Sequence, residues 1–430
     1  MKSFKGLVAD IFEKRDMMPL ADGLVTYADF QKTGVNLNTL CVGATGCGKT
    51  TSVTEPLLVH NHDSSIVVPV AKATIVKKYE AAIKSRGFKT YVLNFLDPGN
   101  GSVGYDPMDY VKSQEDALEL ARQIIAFNYD SKADPYWGDT SETLVAAVIL
   151  LVKINAEYAG ERPKFADVIY FLNQIKYESS PSEDLYVLNI MPLFAEAEKK
   201  VPGNAASRMI RTVDRLPERT AQCVFSTVKS AVDKSMSDLV SEVISMERRL
   251  DFSEMGDEKV AVFVVTNPFN ESCGRFINIM YSQMFKCLFE KAESNSEGRL
   301  SIPVRVVCDD FACTSKIQGF EKYVSIFRAA GISVTVMLQS ESQLTSLYDE
   351  HAATTIVNNM DTYIFMGCLD NKTVKSVSEK MNMPFDKIMH MELENVCVIR
   401  RGCEPFIGRR YQLYDDPVYK QIMERNRVIA

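Results

Sequence analysis

Gly43-Ala44-Thr45-Gly46-Cys47-Gly48-Lys49-Thr50 follows directly on the apolar run Thr39–Val42 (TLCV), and a helical pattern opens at its Lys-Thr end. The stretch matches G-x-x-x-x-G-K-[ST], and a strand–loop–helix setting is the context that gives this pattern its meaning. Phosphates carry several negative charges, and backbone N–H groups must approach them closely. Side chains would block that approach, so Gly43, Gly46 and Gly48 keep it open. In this reading Gly43, Ala44, Thr45, Gly46, Cys47, Gly48, Lys49, Thr50 and Thr51 bind a nucleoside triphosphate. Lys49 places a charge on the β/γ-phosphates, Thr50 offers a hydroxyl to Mg²⁺, and the helix N-terminus adds its partial positive charge. Chance alone produces the pattern in a chain this long roughly once in a hundred, which disfavours a glycine-rich turn with an adventitious lysine. The pattern specifies a nucleotide, not what its hydrolysis drives.

Short Val/Ile-rich runs recur on either side of this loop. Ser65–Val70 and Thr90–Asn94 come soon after it, then Val260–Thr266, Val304–Cys308, Ser333–Leu338, Thr362–Phe365 and Val396–Ile399. Apolar runs without polar alternation mark strands buried on both faces, as in a parallel sheet covered by helices. Helical patterns such as Ala73–Ser85 and Arg275–Ala292 lie between them, so the expected class is a doubly wound α/β fold. From about Ser113 to Arg249 the period is helical almost throughout, with no strand run, and it reads as an all-α subdomain inserted into the α/β domain. The expected organisation is an N-terminal segment over 1–35, a nucleotide-binding domain over 36–112 and 251–430, and the insert over 113–250.

A second acidic site follows from Val304-Arg-Val-Val-Cys-Asp309-Asp310, an apolar strand ending in two carboxylates. On a strand neighbouring the phosphate loop, Asp309 would hold Mg²⁺ through water and Asp310 would polarise the attacking water. Gln339, at the carboxyl end of the strand Ser333–Leu338, lies where such sheets bind ligands and would sense the γ-phosphate or position that water. Arg328, just before the same strand, is a candidate to reach a neighbouring subunit's phosphate. The competing explanations are a turn-forming Asp pair, a polar helix start at Gln339, and a solvated helix charge at Arg328.

The chain has 430 residues, 46% hydrophobic and 24% charged, which excludes a disordered or collagen-like protein. Its 49 Lys+Arg against 56 Asp+Glu leave a net charge of −7, so it is not a uniformly basic nucleic-acid coat. The most apolar run, Leu144–Val152 (LVAAVILLV), falls well short of the ~20 residues that cross a bilayer. The ten cysteines are scattered without a CxxC pair, and the four histidines lack ligand-rich neighbours. Reduced thiols, a cytoplasmic location and no zinc site are therefore expected.

Several blocks together resemble the type IV secretion coupling proteins, the conjugative DNA-transfer ATPases. GKTTSVTEPLL places Pro56 seven residues after Lys49, as in that family. VLNFLDPGNGSVGYDPMDYV is similar to its V-L-N-x-x-D-P block with a following Y-[ND]-P turn, and Asp134-Pro-Tyr-Trp137 to its D-P-[FY]-W block. Asp309 to Leu344 resembles its acidic strand, helix and L-Q-S-x-S-Q-L sensor, and Asn359-Met-Asp361 another block. The similarity is collinear from about Asn36 to Tyr411.

The resemblance implies a RecA-like motor with an all-α domain, hexameric at work, that pumps single-stranded DNA or passes a relaxase–DNA complex to the channel components of a secretion apparatus. It also implies two leading transmembrane helices, which cannot be read here, so either recruitment to the cytoplasmic face of the membrane through a partner or work in the cytosol is expected. The family's D-P-K-G-E appears as Val70-Ala-Lys72-Ala-Thr74. Its D-E pair appears as Asp309-Asp310. A carboxylate one methylene shorter sits further back, and misplacement by about an ångström costs on the order of 100-fold in rate. Arg400-Arg401 with Arg409-Arg410, and Arg208, Arg211, Arg215 and Arg219, are the candidate DNA-backbone contacts, non-specific in sequence and weakened by salt. The rival readings are a nucleotide-gated adaptor with little hydrolysis, and another hexameric DNA-translocating ATPase unrelated to secretion.

Overall fold

The computed structural model describes residues 16–71, 73–126, 135–179, 186–266, 270–309, 311 and 316–429. Lys72, Asp134 and Asp310 lie outside them. The chain resolves into two compact units, one of Met1–Asn94, Asp251–Pro268 and Met284–Ala430, the other of Phe95–Leu250 and Phe269–Gln283.

The described strands are β1 (Met17–Ala21), β2 (Leu24–Tyr27), β3 (Thr39–Val42), β4 (Ser65–Val70), β5 (Lys89–Asn94), β6 (Tyr177–Ser179), β7 (Tyr186–Leu188), β8 (Val260–Val265), β9 (Val304–Cys308), β10 (Ile332–Leu338), β11 (Thr362–Phe365), β12 (Asn395–Arg400) and β13 (Phe406–Arg409). Nine of them form the sheet of the first unit in the order β13-β12-β11-β3-β10-β9-β4-β8-β5. Pairing is parallel from β11 through to β5, and antiparallel at β11–β12 and β12–β13. Every residue of β3, β8, β9, β10 and β11 is buried, as strands covered by helices on both faces require. With an inserted helical unit, this is the RecA-like α/β class that the sequence led us to expect.

Two features differ from the sequence reading. The acidic strand β9 does not neighbour β3, because β10 pairs with both and lies between them. Parallel strands are joined by long crossovers, so order along the chain does not set order in the sheet. The described residues of the leading segment also form a hairpin that the sequence reading did not give. Its hairpin β1–β2 turns through Asp22-Gly23, with Gly23 at φ +74°, and Met18, Leu20 and Ala21 enter the core beside Leu57 and Leu58.

The second unit is built on the helix Pro135–Ala159, packed against the helices Gln114–Ala126, Phe165–Gln174, Met191–Lys200, Ala205–Asp214 and Glu218–Ser235. Leu144 to Val152 are all buried, so the most apolar run of the chain is the core of this bundle. No described helix is long and apolar enough to cross a membrane. The unit is not wholly helical, since β6 and β7 pair antiparallel where periodicity gave no strand.

The Tyr105-Asp106-Pro107 turn ties this unit together. Asp106 accepts from Met108 N at 2.9 Å and Phe165 N at 3.2 Å and pairs with Arg249 at 3.0 Å. Asp109 pairs with Arg249 at 2.9 Å and Arg162 at 2.8 Å. A Cβ on Gly104 would lie 2.8 Å from the Val243 carbonyl oxygen, so only glycine fits before the turn.

Candidate nucleotide-binding site

The phosphate loop leaves the carboxyl end of β3, pinned by its neighbours on both sides. Gly43 N donates to Leu338 O at 3.0 Å, at the end of β10, and Ala44 N donates to Gly367 O at 2.8 Å, just beyond β11. A Cβ on Gly43 would meet Cys47 Sγ at 2.6 Å and Met366 Cβ at 2.9 Å, so the loop closes on itself only with glycine here. Gly46 and Gly48 have φ of +80° and +90°, the left-handed region that side chains avoid. Ala44, Thr45 and Gly46 are exposed at the crest, while Cys47, Gly48, Lys49, Thr50 and Thr51 are half-buried.

Lys49 Nζ donates to the carbonyl oxygens of Gly43 at 2.6 Å and Ala44 at 3.3 Å, which holds its ammonium inside the curve of the loop. Thr51 Oγ1 donates to Gly48 O at 3.1 Å. Thr50–Thr54 then forms a wide π-type turn before the helix Glu55–Val59. Pro56 accounts for it: the ring lacks an N–H and would clash with the carbonyl four residues back, at Ser52, in a regular helix.

The carboxyl edge of the sheet gathers the other candidates. Register aligns Val42 with Leu338 and with Phe365, and Cys308 with Val336. Asp309 and Gln339 therefore emerge beside the loop, Gln339 from the strand next to it and Asp309 from one strand further. Burial pushes the Cys41 thiol up, followed by the influence of Cys47, while Lys49 lowers it and Asp309 raises it. One buried thiol thus senses the loop, its lysine and the acidic strand together. The Gln339 side chain is exposed, and its backbone N–H donates to Gln343 Oε1 at 3.0 Å. Ser340 caps the next helix, Glu341–Leu347, by accepting from Gln343 N.

Arg328 does not join this group. It is exposed on the helix Phe320–Ala330, which leads into the amino end of β10, and Gln339 follows the other end of that strand. Its guanidinium lies 5.8 Å from the Phe30 ring centroid.

The basic clusters also divide. Arg208, Arg211, Arg215 and Arg219 are all exposed in the second unit. Arg400 instead bonds Thr26 Oγ1 at 2.5 Å, Arg401 pairs with Asp361 at 2.8 Å, and Arg409 with Glu394 at 2.6 Å. Arg410, read from the sequence as a DNA contact, lies on the phosphate loop. Its Nη1 donates to Cys47 O at 2.6 Å and would be 2.7 Å from a Cβ on Gly48. Next to it, Asp416 accepts from His60 Nε2 at 2.7 Å and from the Tyr411 hydroxyl. Glu55 accepts from Lys78 and Tyr79. No sequence motif announces these groups.

The family model described as type IV secretory system conjugative DNA transfer matches residues 5–383. No curated protein matches the chain. Among solved structures, the bacterial conjugative coupling protein TrwBΔN70 in complex with sulphate is similar at 12% identity and TM-score 0.65, over 87% of this chain and 85% of that one. TrwB in complex with the ATP analogue ADPNP is 13% identical at TM-score 0.65, over 96% and 94%. VirB4 of Thermoanaerobacter pseudethanolicus is 12% identical at TM-score 0.60, over 94% and 98%.

Proposed function

Because the chain belongs to the type IV secretory system conjugative DNA transfer family, we propose that it is an ATP-hydrolysing coupling motor that moves DNA, or a relaxase–DNA complex, toward a secretion channel. One observation carries this reading: the phosphate loop sits between the ends of β10 and β11, with Gln339 and Asp309 on the same edge of the sheet. The ADPNP complex of a protein of the same fold supports it.

The loop residues fit a triphosphate. Thr45 and Gly46 are exposed at the crest, and Lys49 Nζ can exchange its bonds to Gly43 and Ala44 for phosphate oxygens. Thr50 and Asp309, one hydroxyl and one carboxylate, are the oxygen donors that a hard cation such as Mg²⁺ prefers. The ion's chemistry there is to neutralise charge on the phosphates. Gln339 would orient the attacking water and Asp310 would accept its proton; the role of Asp310 rests on the sequence alone. Arg328, at the far end of β10 from its own loop, would serve the site of the next subunit in a homo-hexamer. The exposed Arg208, Arg211, Arg215 and Arg219 would hold the DNA backbone without reading its sequence.

Binding of a fluorescent ATP analogue with Mg²⁺ tests the site. A hydrogen bond to a charged group contributes about 1.5–3 kcal/mol, so Lys49→Ala should weaken binding roughly 10- to 100-fold. Equal affinity in the two proteins overturns the assignment.

A further inference from the structure

Three N–H groups of the phosphate loop are already engaged within the first unit. Gly43 N donates to Leu338 O at 3.0 Å, Ala44 N to Gly367 O at 2.8 Å, and Cys47 N to Ala44 O at 3.3 Å. Those of Gly48 and Lys49 meet no acceptor among the described residues, as at the start of any helix, where the first donors look outward. Their direction is set by the carbonyl on the other side of each peptide. A trans peptide is planar, so its C=O and N–H point opposite ways, and no described peptide bond is cis.

Both of those carbonyls are held. Gly48 O, in the peptide that carries the Lys49 N–H, accepts from Ser52 N at 2.9 Å and Thr51 Oγ1 at 3.1 Å. These are bonds within the loop and the turn that follows it. Cys47 O, in the peptide that carries the Gly48 N–H, accepts instead from Arg410 Nη1 at 2.6 Å. A Cβ on Gly48 would lie 2.7 Å from that nitrogen, so the guanidinium reaches the loop only beside a glycine. Arg410 is half-buried and has no carboxylate within ion-pair distance among the described residues. Glu394, whose carbonyl accepts from Arg410 N, pairs with Arg409.

We propose that Arg410 is a positioning residue for the nucleotide: it holds the Cys47 carbonyl outward and so turns the Gly48 N–H into the loop, toward the phosphates. The inference rests on the nucleotide reading of the loop. Successive N–H groups turned the same way form an anion-binding concavity, and fixing them before the ligand arrives lowers the ordering cost of binding. A charged donor adds to this, because a hydrogen bond to the carbonyl polarises the N–H of the same peptide.

Glycine-selective ¹⁵N labelling follows the Gly48 amide by NMR during a titration with MgADP, and calorimetry gives the affinity. In the native chain the Gly48 proton should move downfield as its N–H gains an anionic acceptor. Arg410→Ala should weaken binding roughly tenfold, the loss of one hydrogen bond from a charged donor, and should shrink the downfield displacement at saturation. Arg410→Lys, which keeps a charged donor, should recover part of both. If Arg410→Ala does not fold, Arg410→Gln takes its place with the same two readouts. Native affinity in the variant overturns the proposal, and so does weakened binding with the full native displacement at saturation, the mark of a general loosening. A native chain that does not bind MgADP overturns the nucleotide reading itself, a result distinct from either.

Discussion

Arg410 Nη1 donates to the Cys47 carbonyl oxygen at 2.6 Å, joining residues 363 positions apart. The bond fixes the C-terminal segment to the back of the phosphate loop. The next residue, Tyr411, continues the connection by donating to Asp416, which also takes His60 at the end of the helix that follows the loop. Tyr419 and Ile422, from the helix Pro417–Ile429, complete it by packing into the same core as Leu57 and Leu58. The loop is therefore braced by the last part of the chain as well as by β10 and β11.

Removing that brace should loosen the loop rather than unfold the unit. A hydrogen bond from a charged donor contributes about 1.5 kcal/mol or more, so Arg410→Ala should speed amide exchange across Gly43–Thr51 roughly tenfold. Exchange in β3 itself should change little, because its bonds to β10 and β11 are untouched. Hydrogen–deuterium exchange followed peptide by peptide makes the comparison.

The brace also predicts an acid response. Burial works against the charge on Asp416, yet hydrogen bonds from His60 and Tyr411 hold its carboxyl below its ordinary value of 3.8. A carboxyl lowered on folding contributes stability above its unfolded value, and that contribution is lost as pH falls through the folded one. Melting temperature should thus decline below about pH 4 more steeply in the native protein than in Asp416→Asn, whose stability should be lower at neutral pH and flatter in acid. Parallel acid limbs in the two proteins would count against this role.

Asp310 carries a prediction of opposite sign. If the shorter carboxylate activates water from too far back, Asp310→Glu should raise turnover, by up to about 100-fold for an ångström of correction. Single-turnover hydrolysis of radiolabelled ATP separates this step from product release. An unchanged or lower rate in the glutamate variant removes Asp310 from the water-activating position.

What could be read from the sequence, and what could not, follows from where the information lies. The phosphate loop was legible because its requirements are local: Gly43, Gly46, Gly48, Lys49 and Thr50 are fixed by one turn of backbone. The buried strands were legible for the same reason, since parallel strands covered on both faces must be apolar along their length. The hairpin of β1 and β2 was missed although Asp22-Gly23 between two apolar runs is a hairpin signal. The place of β10 between β3 and β9 was not written locally, because a crossover lets a later strand enter an earlier gap. Arg410 was beyond reach for a related reason. Its only distinguishing feature is a carbonyl that the fold brings to it from the other end of the chain.

The most direct test of the motor reading is steady-state ATP hydrolysis with and without single-stranded DNA, on the native chain and on Lys49→Ala. A motor predicts hydrolysis that rises several-fold with DNA, loses that stimulation as salt is raised, and is absent from the Lys49→Ala protein. Tight MgATP binding with negligible turnover, unchanged by DNA at any salt concentration, would contradict it and identify a nucleotide-gated adaptor instead.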